Sequence, residues 1–158
     1  MNPTYGSGDL RSPAYAITQE NGSKITDFVY ESHEILPGKP RLSGLPATYT
    51  EENGEAETLE ITLRDALLNT RMILSYTVYE ALPVLCRNVR FQNDGEETLL
   101  LSPAMSLSLD LPDSRYEMVE LTGAWARERY VNTQPLHPGN LSIKMIYLPI
   151  NFIYNADY

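Results

Sequence analysis

The sequence predicts an all-β fold of antiparallel strands arranged as a sandwich or barrel, and three observations carry that expectation. Apolar and polar residues alternate with period two over several stretches, the pattern of strands with one face buried. Turn-forming residues recur between those stretches. Helical periodicity is weak, and 11 prolines spread from Pro3 to Pro149 interrupt most windows that could hold a long helix.

The elements follow in order. His33 lies in a strand-like segment, and Leu36 to Thr48 reads as a Pro/Gly-rich loop. Glu51 to Glu55 is an acidic, solvated turn. Leu59, Ile61 and Leu63 then share one strand face, and Met72, Leu74, Tyr76 and Val78 share the face of a second strand. Asp65 to Asn69 is the short link between them. In the run from Val84 to Phe91 the odd positions are mostly apolar, which turns Cys86, Asn88 and Arg90 to the opposite side. Asn93-Asp94-Gly95 offers the positive-φ residues of a tight hairpin, so Phe91 and Leu99 are expected on paired strands.

Ser106 to Leu109 alternates as a half-buried strand would, and Asp110 to Ser114 holds Pro112 among turn residues. A second strand follows. Gly123 and Ala124 then permit a close backbone approach just before Trp125, the only tryptophan, and Arg127, Glu128 and Arg129 add a compact charged cluster. Thr133 to Asn140 is expected to be loop.

With 158 residues the chain has enough length for one domain with a core. Twelve basic against 21 acidic residues give a formal charge of −9, which repels a phosphate backbone, so nucleic acid is not an expected partner. No run reaches the length needed to cross a bilayer, and the first residues lack a charged start followed by an apolar stretch, so no membrane partner and a cytoplasmic location are expected. The single cysteine, Cys86, is expected to be a buried strand residue. His33 and His137 have no partner at metal-ligand spacing, and no Gly-rich loop opens a helix, so neither metal nor cofactor is expected.

Several ordered segments carry a family resemblance: YGSGDLRSPA, NGSKITDFVYESHEI, PRLSGLPATY, LSYTVYEALPV, GAWARER and PLHPG. Together, from about Tyr5 to about Ile143, they resemble the amino-terminal domain of glycoside hydrolase family 36, the α-galactosidases. The resemblance implies an antiparallel β-supersandwich over residues 1–143 that precedes a (β/α)8 barrel carrying both catalytic aspartates. Those aspartates are expected about 5 to 5.5 Å apart, as retaining enzymes require. They are not expected in this chain. Family members also carry strand residues ahead of the YGSGDLR segment, so the first strands are expected to be missing. The tail 144–158 departs from the family pattern and is expected to be either an out-of-frame or read-through product or a genuine divergence.

Two substrate-binding residues are implied by the resemblance and by side-chain chemistry. Asp9 matches a family segment that approaches the sugar site and could accept hydrogen bonds from galactose hydroxyls; an ion pair with Arg11 or a cap on the Gly6-Ser7-Gly8 turn is the structural alternative. Trp125 could offer a flat face to a sugar ring, although packing at a domain or subunit interface is favoured. Asp110 and Asp113 imitate a carboxylate pair but occupy turn positions that favour Asp for local hydrogen bonding.

The expected function is that of a non-catalytic amino-terminal domain or fragment of a retaining α-galactosidase acting on raffinose- or melibiose-type substrates. Its expected partners are the catalytic barrel, a galactose-containing oligosaccharide and further copies in a homo-oligomer. The chain alone is expected to be inactive. A free-standing carbohydrate-binding sandwich and a remnant of a disrupted gene are the alternatives.

Overall fold

The computed structural model describes residues 4–6, 8, 12–42, 47–105, 107, 108, 111, 115–124 and 126–137. The chain divides into two compact units, residues 1–108 and 109–158. The expected tail at 144–158 lies outside the described residues.

In the first unit, β2 (Val29–Pro37), β3 (Ala56–Asp65), β4 (Thr70–Tyr79) and β5 (Leu85–Asn93) form an antiparallel sheet in that order, while β1 (Tyr15–Thr18) pairs with β6 (Leu100–Ala104) in a second sheet. The alternation read from the sequence sets the register. Leu63, Met72 and Phe91 stand in one cross-strand row, and Ile61, Leu74 and Val89 in the next. Tyr15 and Ile17 of β1 close over these rows, making a core with Ala14, Met72 and Leu74. Tyr15, Phe28 and Phe91 form a ring cluster with centroids 5.3 to 6.4 Å apart, the spacing that offset and edge-on rings prefer. Full burial of one such side chain contributes about 1.5–3 kcal/mol.

The opposite face of the sheet is mostly polar, around the buried Ile73. Thr58 and Thr77 face each other across β3 and β4 and are buried, with their hydroxyls 2.7 Å apart. The Thr58 hydroxyl also donates to the Gly38 carbonyl at 2.8 Å. Burying these hydroxyls is tolerable only because both are partnered. Gly38 has φ of +72°, and a Cβ there would stand 3.2 Å from Asn53 Oδ1, so glycine suits both the backbone and the space. The segment after β2, with the 3₁₀ turn Asn53–Glu55, thereby lies against this face; Thr48 reaches Cys86 Sγ at 3.1 Å. Cys86 shares that face with Asn88 and Arg90, as the alternation predicts, but it is half-buried, not buried.

Asp65 begins the β3–β4 turn expected at Asp65 to Asn69. Its carboxylate accepts backbone N–H bonds from Asp27 (2.7 Å), Leu67 and Leu68 (both 3.0 Å), and Asn69 adopts φ of +48°. The following motif departs from expectation. Phe91 lies on β5, but Leu99 precedes β6, which pairs with β1 and not with β5. Asn93-Asp94-Gly95 therefore starts a crossing between layers. Asp94 is held back on the sheet by Arg71 and Gln92, and Gly95 sits where a Cβ would come within 3.2 Å of the Leu68 carbonyl.

The second unit contains the hairpin of β7 (Glu117–Ala124) and β8 (Arg127–Pro135). Leu107 and Ser108, expected in a strand, lie in none, and the turn predicted around Pro112 falls largely outside the described residues. The loop expected at Thr133 starts later, because Thr133 to Pro135 still pair with Val119 to Glu117. Pro135 is tolerated as the last strand residue, where no inner ladder bond is lost.

Candidate functional site

Asp9 and Trp125, the two residues singled out for sugar binding, lie outside the described residues, as do Asp110 and Asp113. Their surroundings are partly defined. Tyr5 and Gly6 lie in a turn, and Gly6 and Gly8 take φ of +81° and +76°, which only glycine adopts without strain. Lys24 Nζ lies 5.5 Å from the centre of the Tyr5 ring, and Ile25 is the neighbour a Cβ on Gly6 would touch, at 3.4 Å. The turn thus rests on the loop that leads into β2.

Gly123, Ala124 and Ala126 to Arg129 form the tip of the β7–β8 hairpin. Ala124 pairs with Arg127, Ala126 has φ of +61°, and Glu128 accepts the Ala126 N–H at 3.3 Å. Between this pair and Thr122 opposite Tyr130, Gly123 faces both Glu128 and Arg129, a bulge with Arg129 at φ of +63°. A Cβ on Gly123 would collide with the Arg127 carbonyl and stand 2.7 Å from Glu128 Cα. The close approach inferred from Gly123 is therefore made within the hairpin itself. It leaves Arg127, Glu128 and Arg129 exposed.

Two further titratable pairs have local partners. The Tyr30 hydroxyl and His33 Nδ1 are 2.6 Å apart on exposed β2, and Arg71 forks onto Asp94 at 2.6 and 3.0 Å. That guanidinium holds the Asp94 carboxyl below its usual range, with further help from Gln92. Among the described residues no group of three His, Cys, Asp or Glu side chains could hold a metal ion. Nor does a helix of the described residues have the length and apolarity to cross a membrane.

What alternation alone did not reveal is that the core-side face of the sheet is covered over half its length. Beyond the two rows beneath β1 and β6 come two more: Ile35, Leu59, Tyr76 and Arg87, then Pro37, Glu57, Val78 and Leu85. Ile35, Val78 and Leu85 remain 66%, 58% and 61% exposed. Arg87 lies over the Tyr76 ring, its guanidinium carbon 5.8 Å from the centre, at the border between the halves.

The first unit is thus a two-layer antiparallel sandwich with structural carboxylates and an extended apolar face. The chain belongs to the glycosyl hydrolase family 36 N-terminal domain family, whose model matches residues 1–146. It is 51% identical over 137 residues to α-galactosidase AgaA of Geobacillus stearothermophilus and 37% identical over 134 residues to α-galactosidase Mel36A of Lactobacillus acidophilus. These alignments cover 87% and 85% of this chain but 19% and 18% of the relatives, so the chain spans about a fifth of their length. The crystal structure of an AgaA variant in complex with raffinose superposes with a TM-score of 0.79 at 51% identity, again over 87% of this chain and 19% of that one. The α-galactosidase from Lactobacillus brevis superposes with a TM-score of 0.77 at 38% identity, over the same shares.

Proposed function

We propose that this chain is the non-catalytic amino-terminal domain of a retaining α-galactosidase acting on raffinose- and melibiose-type α-galactosides, where it makes contacts between domains and between copies. The observation that carries this reading is the 51% identity to AgaA, confined to a fifth of that enzyme. AgaA variants have been crystallised with raffinose and with stachyose, which supports α-galactosides as the substrate class. In this reading Asp9 accepts hydrogen bonds from galactose hydroxyls, a role that rests on the family resemblance, and Trp125 packs at a domain or subunit interface, with a flat face for the sugar ring as the alternative that side-chain chemistry offers.

The test is a hybrid polypeptide in which this chain replaces the matching segment of AgaA. The hybrid is expected to hydrolyse a chromogenic α-galactoside, and the lone chain is expected not to. A hybrid that is soluble and folded but inactive, or turnover by the repurified lone chain, would overturn the reading.

A further inference from the structure

We propose that the loop from Gln19 to Ile25 positions the glycine turn that leads to Asp9, and that Lys24 and Tyr5 are positioning residues for galactoside binding through the contact they make with each other. The inference rests on the role proposed above for Asp9 and adds to it the groups that fix where that carboxylate is carried.

Asp9 follows directly on Gly8, and Gly6 and Gly8 both take positive φ. Glycine has the most backbone freedom to lose, so a segment with two glycines in four residues does not hold one shape by itself. A carboxylate that is to meet sugar hydroxyls has to be held within about 0.5 Å of its productive place, and here that takes contacts from outside the segment. Among the described residues those contacts come from one loop. Lys24 Nζ stands 5.5 Å from the centre of the Tyr5 ring, close enough for an ammonium to be attracted to a ring face. A Cβ on Gly6 would find three carbons of Ile25 at 3.4 to 3.8 Å.

The loop itself is tied together. The Gln19 N–H donates to the Ser23 carbonyl at 3.0 Å, the Gln19 carbonyl accepts the Gly22 N–H at 2.9 Å, and the Gln19 side-chain amide donates to the Ile25 carbonyl at 3.0 Å. Asn21 Oδ1 accepts the Ser23 N–H at 2.8 Å, and the Ser23 hydroxyl accepts the Ile25 N–H at 3.3 Å. Just beyond, the Thr26 hydroxyl meets that of Tyr15 in the core, and the Asp27 N–H is held by the buried Asp65 carboxylate. Lys24 and Ile25 therefore join the glycine turn to the fixed part of the unit. Tyr5 and Ile25 are themselves 42% and 64% exposed, so these contacts bury little apolar area and add little to stability; what they fix is a position.

Kinetics of the AgaA hybrid on an uncharged α-galactoside test this, because such a substrate gives the Lys24 charge nothing to attract. Asp9→Asn is expected to raise KM about tenfold or more, by weakening charge-assisted hydrogen bonds. Lys24→Met, which keeps the stem, is expected to raise KM about threefold with kcat unchanged, the size of one exposed cation–π contact, and Lys24→Arg to restore it. Tyr5→Leu should match Lys24→Met, and the double variant should be no worse than either, since all three lose the same contact. A rise of about ninefold in the double variant, the product of two independent effects, overturns the inference and leaves the proposed function standing. So does an unchanged KM for Lys24→Met beside a raised one for Asp9→Asn. An unchanged KM for Asp9→Asn removes the Asp9 role, and the inference with it. In NMR spectra of the lone chain, the Gly8 and Asp9 amide resonances are expected to move on Lys24→Met; resonances that stay in place overturn the inference whatever the activity of the hybrid.

Discussion

The two halves of one sheet face differ chiefly in what lies above them, although the bare rows also carry Arg87 and Glu57 where the covered ones are apolar. Beneath β1 and β6, Met72 and Leu74 are buried; two rows further along the same strands, Val78 and Leu85 stand mostly in solvent. Both halves alternate, and both carry aliphatic and aromatic residues on paired strands. Burial here is therefore decided by the length of the second layer, whose strands are four and five residues against nine or ten below. The covered half stabilises this chain, while the bare half has apolar surface still to bury.

Truncation should expose that difference most strongly. Leu74→Ala is expected to cost about 3 kcal/mol, because it removes packed methyl groups and leaves a cavity. Val78→Ala should change stability by less than about 0.5 kcal/mol, because its side chain has little packing to lose in this chain. Urea denaturation of the two variants measures both, and equal losses would break the comparison.

A smaller effect appears at high pH and reports on the covered half alone. Burial raises the Tyr15 phenol above its ordinary value and Asp65 adds to the rise, against a weaker opposing effect of the Thr26 hydroxyl 3.3 Å away. Its folded pKa exceeds the unfolded value of about 10, so the stability it contributes is complete below that pH and is lost as pH rises through the folded pKa. Spectrophotometric titration should find one tyrosine ionising later than the exposed ones, and Tyr15→Phe should remove that late step.

The smallest effect is expected from the exposed Arg71–Asp94 fork. Because Arg71 chiefly lowers the Asp94 pKa, its contribution exists above the unfolded carboxylate value and disappears as pH falls through the folded one. Asp94→Asn should therefore lower Tm slightly at neutral pH, with the difference shrinking as pH falls below the usual carboxylate range, as followed by thermal melts; a shift that does not shrink with acid would point to a role other than the ion pair.

Much of the fold was legible because strand alternation is a local property. Leu59 to Leu63 and Met72 to Val78 gave the strand faces, and Asp65 to Asn69 the turn between them. Pairing between distant segments was not legible. Asn93-Asp94-Gly95 reads the same whether the chain doubles back or crosses to another layer, and what decides is the long-range pairing of β1 with β6. The bare half was hidden for the same reason, since Val78 differs from Leu74 only in what lies above it. At the candidate site, Gly123 announced a close backbone approach, and the hairpin register shows with what; Asp9 and Trp125 lie outside the described residues.

The pairing of Ile17 with Leu101 also orders events at the ribosome. Each hairpin of the β2–β5 meander joins neighbours in sequence and can form as soon as its second strand emerges, whereas β1, made first, must wait for the last strand of its unit. Until Ala104 has left the exit tunnel, Met72 and Leu74 are as bare as Val78 and Leu85. During synthesis, the distinction between the two halves of the face does not yet exist.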